Sequence, residues 1–364
     1  MEDASKRLAP LVLVLAALFT VLLVRPATAQ LQVSNADGSM SLKFGVLGQA
    51  QAEFLDTATA KDRQDNLFIR RLRLLGGFKL NDKLTIFVDT DSPNLGKGNP
   101  DGTKNNADMY IQDFIVTYAF AKEFQIDSGL LLTAESYNHT QSAATLMAID
   151  YGPYTFTESA PITARVGRDY GIQARGYLAD DHIEYRGGVF QGARGVNNTN
   201  EFRYSGRLAF NVIGPQTTYT YRGTSLGKTQ SLTIGFGFDH QQDFHSYGGD
   251  LFWDQPIPGG DGLTVQADYT QWDGGTFLTA IPKQKTTLLE VGYYAHAIKL
   301  LPYVQYAQEN FDLAKNPDEK RTEVGIGYYI NGHNQNIKFG YGKIDRDGSP
   351  KRNQIRLQYQ VYAF

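Results

Sequence analysis

Polar and apolar residues alternate along much of this chain with a period of two. Thr264-Val265-Gln266-Ala267-Asp268-Tyr269-Thr270 does so without a break. Glu323 to Ile330 repeats the pattern with Val324, Ile326, Tyr328 and Ile330 on one face, and Gln354 to Val361 with Ile355, Leu357, Tyr359 and Val361. Successive side chains of a strand point to opposite faces, so each run reads as a strand with one apolar face and one face of charge, amide and glycine. Sixteen such runs are expected: 42–54, 66–80, 83–91, 108–120, 123–132, 168–178, 182–191, 201–212, 230–241, 245–254, 262–272, 285–296, 299–311, 320–331, 335–344 and 351–364.

A soluble sandwich uses the same alternation, so the period alone leaves it open. Three further features favour an all-β transmembrane antiparallel barrel. The apolar faces carry tyrosine and phenylalanine towards strand ends, as an interfacial girdle requires, from a total of 22 Tyr and 21 Phe. The opposite faces hold ionised residues flanked by glycine, as suits a water-filled lumen. Short and long connections also alternate. Asn81-Asp82, Ala121-Lys122, Ala179-Asp180-Asp181 and Gly332-His333-Asn334 are tight turns, whereas Thr57 to Asp65, Ser92 to Ala107 and Asp312 to Asp318 are long and polar. Barrels of the outer membrane have short periplasmic turns and longer external loops. An even count puts both ends on the periplasmic side, and sixteen strands leave room for an aqueous channel.

Two connections break this rhythm. Thr133 to Gly167 is a long external stretch, expected to fold inward and narrow the pore. Ile213 to Thr229 is long on the periplasmic side, and the expectation there is an extension of the neighbouring strands.

The first residues bear on the compartment. Lys6 and Arg7 precede the apolar run Leu8 to Val24, and Ala27-Thr28-Ala29 follows, the order of a secretory signal peptide covering residues 1–29. A membrane-spanning helix is the rival reading of the same run, but Pro10, Pro26 and the small-residue tripeptide favour cleavage after Ala29. Residues 30–364 then form the barrel domain. Loss of Lys6, Arg7 and Arg25 with Glu2 and Asp3 takes the formal charge from −3 to −4, too mild to suggest nucleic acid as a partner. The absence of cysteine removes disulfides, thiol nucleophiles and thiolate metal sites.

Phe68-Ile69-Arg70-Arg71-Leu72-Arg73-Leu74 resembles the Arg-Arg-x-Arg signature of the phosphate-selective porin O/P family. Gly129 to Thr133 and Ser142-Ala143-Ala144 resemble that family's strand and inward-folded loop, and Gly188-Val189-Phe190-Gln191-Gly192 its strand before the fourth external loop. The chain ends in Phe364, as outer-membrane barrels commonly do for recognition by the barrel-assembly machinery. The resemblance runs from about Leu42 to Phe364. It implies a sixteen-stranded homotrimeric porin in the outer membrane of a Gram-negative-type bacterium, embedded in lipid and passing small hydrophilic solutes or anions such as phosphate through a basic lumen. Phe364 has the opposite parity to Ile355–Val361, so a bulge is expected at the end of the last strand.

Alternation assigns Lys43, Arg71, Arg73, Lys79, Arg175, Arg186, Arg203, Arg207, Lys338 and Arg356 to the lumen. It likewise assigns Glu53, Asp89, Asp113, Asp127, Glu184, Asp239, Asp250, Asp268, Glu290 and Glu323. The totals balance but the placement does not. Arg175, Arg186, Arg203 and Arg207 make a basic wall on the sixth to eighth strands. Asp239, Asp250, Asp268, Glu290 and Glu323 make an acidic wall on the ninth to fourteenth. Opposed walls set up a field that orients and filters solutes. Arg71 and Arg73 on the second strand, with Arg165 and Arg168 closing the long loop, complete the expected pore lining. The competing reading pairs lumen arginines with acids on adjacent strands, such as Arg71 with Asp89 or Glu53.

Other motifs carry less. Gly223 to Thr229 resembles a phosphate-binding loop but has three residues between its glycines where four are needed. Asn99 to Asp108 lacks the spacing of a calcium loop. The histidines His139, His182, His240, His245, His296 and His333 show no metal-pair spacing, and solvated positions at turns and strand ends are expected for them. No cofactor, metal site or catalytic residue is expected. The alternatives to a pore are a barrel-embedded hydrolase and a non-conducting barrel plugged by its long loop.

Overall fold

The alternating runs form the wall of a closed barrel. The computed structural model describes residues 31–106 and 108–364, so the expected signal peptide lies outside the described residues. A short strand, β1 (Leu31–Ser34), pairs with the start of β2 (Ser41–Asp56) as a hairpin that the alternation had not revealed. The wall continues through β3 (Arg63–Lys79), β4 (Leu84–Asp91), β5 (Tyr110–Ala121), β6 (Phe124–Leu132), β7 (Arg168–Leu178), β8 (Ile183–Phe190) and β9 (Arg203–Ile213). The remaining strands are β10 (Ser231–Gln241), β11 (Phe244–Ile257), β12 (Asp261–Asp273), β13 (Gln284–Tyr294), β14 (Leu300–Phe311), β15 (Glu319–His333), β16 (Gln335–Arg346) and β17 (Arg352–Ala363). Each pairs antiparallel with its sequence neighbour, and β17 returns to β2 from Gln354↔Leu55 to Ala363↔Val46. The result is the sixteen-stranded closed barrel that the alternation predicted, in which each of β2 to β17 is paired on both sides.

Along each strand the outward residues are apolar and exposed, for example Leu74, Ile111, Phe114, Phe236 and Tyr269. In a membrane barrel these meet lipid tails. Near the turn between β5 and β6, Tyr118 and Phe120 lie 4.7 Å apart and Phe120 and Phe124 5.4 Å apart, part of the interfacial girdle.

Inward residues are buried because two connections fill much of the lumen. The external loop closes at its neck, where the Thr133 amide donates to the Gly167 carbonyl at 2.9 Å. It then crosses the barrel to the far wall. There Lys338 Nζ donates to the carbonyls of Leu146 (2.5 Å) and Ala148 (2.9 Å), and Gln360 to that of Ala144 (2.9 Å). Wall glycines make room for the loop. A Cβ on Gly237 would lie 1.8 Å from the Glu135 carbonyl oxygen, and one on Gly292 would lie 2.3 Å from the Met147 sulfur. Inward glycine thus accommodates the inserted loop as well as shaping a lumen.

The periplasmic connection between β9 and β10 corrects one expectation. It does not extend its strands but enters the barrel and meets the external loop. Tyr221 N–H donates to the Thr140 carbonyl (3.0 Å) and Ser142 N–H to the Tyr221 carbonyl (2.9 Å), a parallel bridge between the two inserted segments. The expected bulge before Phe364 is absent, since β17 pairs with β16 and β2 without a register shift. Phe364 keeps the alternation and turns inward, packing edge-on against Phe87 at 5.8 Å.

Candidate pore

Three strands on one side of the barrel, β7 to β9, carry the four arginines expected to form a basic wall. Each is buried and paired. Arg175 donates to Asp127 (2.7 Å), Arg186 to Glu184 (2.5 Å) and Arg203 to Asp239 (2.7 Å) and Glu135 (2.8 Å), and Arg207 binds Asp250. Two tyrosines of the periplasmic segment cap this group. The Tyr219 ring lies 5.5 Å from the Arg175 guanidinium and 5.3 Å from that of Arg186. Tyr221 lies 5.1 Å from Arg186, accepts from Arg207 Nε (3.2 Å) and donates to Glu184 (3.0 Å). The Tyr221 ring in turn stacks on Tyr137 of the external loop at 4.7 Å, and Tyr137 stacks on Phe252 of the wall at 4.1 Å. Desolvated guanidiniums against aromatic faces and carboxylates hold the two inserted segments to this wall. The expected acidic residues divide accordingly. Asp239 and Asp250 serve the buried arginines, Asp268 accepts from Gln266 (3.2 Å), Glu290 from Gln305 (2.6 Å), and Glu323 binds Arg356.

The opposite side is open. A cavity of about 300 Å³ lies between the external loop and strands β3, β5, β15, β16 and β17. Six inward basic side chains line it (Arg70, Arg71, Arg73, Arg168, Arg321 and Arg356) against three acidic ones (Asp91, Asp150 and Glu323), a formal excess of three positive charges. The acids are already engaged. Asp150 from the loop accepts from Arg70 Nε (2.7 Å) and Arg71 Nη2 (2.6 Å), and Asp91 from Arg73 (3.0 Å). Burial alone would raise the Asp150 carboxyl, but the two guanidiniums hold it well below the ordinary carboxylate range.

Alternation places Arg71 in the lumen and Arg70 in lipid. A bulge reverses the second assignment. Gln49 pairs with Arg71 and Ala50 with Ile69, so Arg70 opposes no residue of β2 and swings inward. Asp150 belongs to the irregular loop, where no periodicity marks an inward side chain. Arg321 lies just inside β15, at the edge of the expected strand 320–331. The expected partner of Arg71, Asp89 or Glu53, is replaced by Asp150, while Asp89 binds Arg73 (3.1 Å) and Glu53 binds Lys97 (2.6 Å).

Two further cavities share walls with this one. On the outer side Tyr110, Val166 and Arg168 also border a space of about 540 Å³ with Arg165 and Arg194, and the Arg165 guanidinium rests 3.8 Å from the Tyr110 ring centre. On the inner side Arg73, Tyr151 and Arg168 also border a space of about 100 Å³ lined by Leu75, Phe87, Tyr362 and Phe364. Arg168, held by Asp113 at 3.1 Å, touches all three.

The profile described as phosphate-selective porin O and P matches residues 44–297, well over half of the 364 residues. The chain belongs to that family. It is an outer-membrane porin, a β-barrel diffusion channel of the Gram-negative outer membrane. Curated protein sequences give no match. Among solved structures this porin is similar to the anion-selective porin from Comamonas acidovorans, with 12% identity, a TM-score of 0.60, and coverage of 89% of this chain and 99% of that one. OprB of Pseudomonas putida is 9% identical at a TM-score of 0.61, covering 90% and 94%. The trimer form of OmpT, an outer membrane protein of Vibrio cholerae, is 12% identical at 0.56, covering 89% and 99%. At such identities the likeness is one of fold.

Two histidines need correction, since neither is solvated as expected. His333 has its Nδ1 buried and its Nε2 on the Thr224 carbonyl at 2.8 Å. His139 is 1% exposed inside the external loop. The reason is the inward course of the loop, which carries its first turn into the barrel.

Proposed function

We propose that this porin passes small hydrophilic solutes with a preference for anions, and that solutes travel along the β3–β5 and β15–β17 side of the lumen. The carrying observation is the excess of basic side chains in the central cavity, whose acids are all tied to arginines. A low-dielectric passage with net positive lining concentrates anions and repels cations. Arg70, Arg71, Arg73 and Arg168, with Arg321 and Arg356, are the residues assigned to this lining, and Arg165 to its outer entrance. Arg175, Arg186, Arg203 and Arg207 are assigned the different task of holding the inserted segments in place. On this reading the protein is a passive channel with no catalytic or cofactor role. It assembles as a homotrimer in outer-membrane lipid after insertion by the barrel-assembly machinery, as the trimer form reported for the Vibrio cholerae protein suggests.

The test is the reversal potential of purified protein in a planar bilayer under a KCl gradient, followed by addition of phosphate. An anion-selective potential with chloride current reduced by millimolar phosphate supports the reading. A potential near zero or cation-selective with substantial conductance leaves a general porin and removes the anion assignment.

A second reading has its own observation. The bridge between Gln141 and Tyr221 joins the external and periplasmic insertions across the lumen. A barrel closed at that junction would be a narrow or gated channel, and single-channel conductance at high salt distinguishes it from an open pore.

A further inference from the structure

We propose that Glu135, His139 and Glu158 bind one first-row divalent cation, Zn²⁺ fitting best, which ties together the outgoing and returning limbs of the external loop. The three side chains come from both ends of that loop. Ser136 caps the short helical turn Tyr137–Thr140 by accepting the His139 amide at 3.2 Å. Glu135 precedes the extended cap residue, and its carboxylate lies 3.8 Å from His139 Nε2. Glu158 arrives from the returning limb.

The spacing is longer than that of hydrogen bonds and within about 0.2 Å of that of ligands. His139 Nε2 stands 3.8 Å from Glu135 Oε1 and 3.6 Å from Glu158 Oε1, beyond hydrogen-bond reach. Donors bound tetrahedrally to Zn²⁺ at about 2.0–2.2 Å are separated from each other by roughly 3.3–3.6 Å. One donor atom from each of the three residues lies within 4.8 Å of the others.

The group is also incomplete without a cation. Both ring nitrogens of His139, Glu135 Oε2 and Glu158 Oε2 are buried with no hydrogen-bond partner. His139 is 1% exposed and Glu158 0%. Polar atoms left unpartnered at this depth destabilise the fold unless something binds them. Charge points the same way. Among the described residues Arg203 is the one arginine or lysine paired with Glu135, Asp169 and Asp239, and Glu158 has no such partner beyond His139. Three buried carboxylates thus share one guanidinium while Glu158 has none, and a divalent cation offsets most of the deficit. One imidazole with carboxylates suits Zn²⁺. Glu135 also borders a cavity of about 20 Å³, room for about one water as a further ligand.

This inference rests on the loop alone and not on anion selectivity, so its test reads metal and not current. Full-length protein in detergent is stripped with chelator, given Zn²⁺, desalted and analysed for bound metal. The expected content is about one Zn²⁺ per chain, falling at least about tenfold in His139→Gln and in Glu158→Gln. Unheated gel migration confirms that each variant is a folded barrel. As a check that needs no variant, Co²⁺ added to stripped wild-type protein is expected to give the visible absorption of a low-symmetry nitrogen and oxygen site, saturating at about one equivalent. Wild-type protein retaining less than about a tenth of an equivalent, a non-saturating cobalt spectrum, or folded variants that retain as much zinc as the wild type would each overturn the proposal.

Discussion

The ring of Tyr137, from the external loop, stacks on the ring of Tyr221, from the periplasmic connection, at a centroid distance of 4.7 Å and an interplanar angle of 27°. Two segments that enter the barrel from opposite ends are joined there. The joint is backed by Phe252 and by the Arg186 and Arg207 guanidiniums, so it fills the lumen on the β8–β11 side. The open cavity is left to the other side.

Tyr221→Ala should therefore loosen the joint. An aromatic pair contributes about 0.5–1.5 kcal/mol beyond its buried area, enough to raise the population of a displaced insertion by about two- to tenfold. Single-channel conductance is expected to rise with added current noise, while the barrel still migrates as folded on an unheated gel. Unchanged conductance would place the joint outside any route that ions take.

Asp150→Asn removes the acid that Arg70 and Arg71 share and takes the formal lining of the central cavity from an excess of three to one of four. Two charge-assisted hydrogen bonds weaken together. The reversal potential under a KCl gradient should move further to the anion side. Movement to the cation side would contradict the assignment of this cavity to the passage.

Arg321→Glu tests the same lining at a side chain that is 39% exposed and so tolerates replacement. Chloride preference should fall. The change should be large at about 10 mM salt, where screening extends to about 30 Å, and small at about 1 M, where it is about 3 Å. Equal effects at both concentrations would point to a structural cause.

Gly237→Val acts from the wall. The Glu135 carbonyl oxygen would lie 1.8 Å from a Cβ at this position, so the loop must move. Overpacking of this kind costs about 1–3 kcal/mol, and the cost falls on the loop more than on the sixteen-stranded wall. A lower threshold for protease cleavage within 133–167, with strand content by circular dichroism unchanged, is the expected result.

Acid should not release the loop latch. The Asp150 carboxyl is held below its ordinary value, so its contribution is fully present above the unfolded pKa of about 4 and is lost only as pH falls through the lower folded value. Conductance and loop protection from protease are expected to persist from pH 7 down to about pH 4. A transition between pH 5 and 7 would have to come from another group.

The wall of this protein was legible in its sequence because a strand that faces lipid on one side and a filled lumen on the other must alternate. Lipid rejects polar groups and the backbone accepts only a closed sheet, so pattern, strand number and closure follow from local chemistry. The inward faces of Arg71, Asp89, Asp239 and Glu290 could be read the same way. Arg70 could not, because a one-residue bulge reverses the parity on which the reading depends. Its cue was energetic: an arginine facing the bilayer midplane costs about 2–4 kcal/mol, and turning inward avoids that cost.

What the tertiary structure alone decided is which side of the lumen is filled. Thr133 to Gly167 and the stretch between β9 and β10 have no periodicity, and their positions follow from long-range partners: Lys338 on the carbonyls of Leu146 and Ala148, Arg70 and Arg71 on Asp150, and Tyr221 on Tyr137. Those contacts join residues far apart in the chain, and no local pattern encodes them. They turn the arginines of β7 to β9 into anchors, gather Glu135, His139 and Glu158 in one buried cluster, and leave the excess positive charge beside β3, β15 and β17.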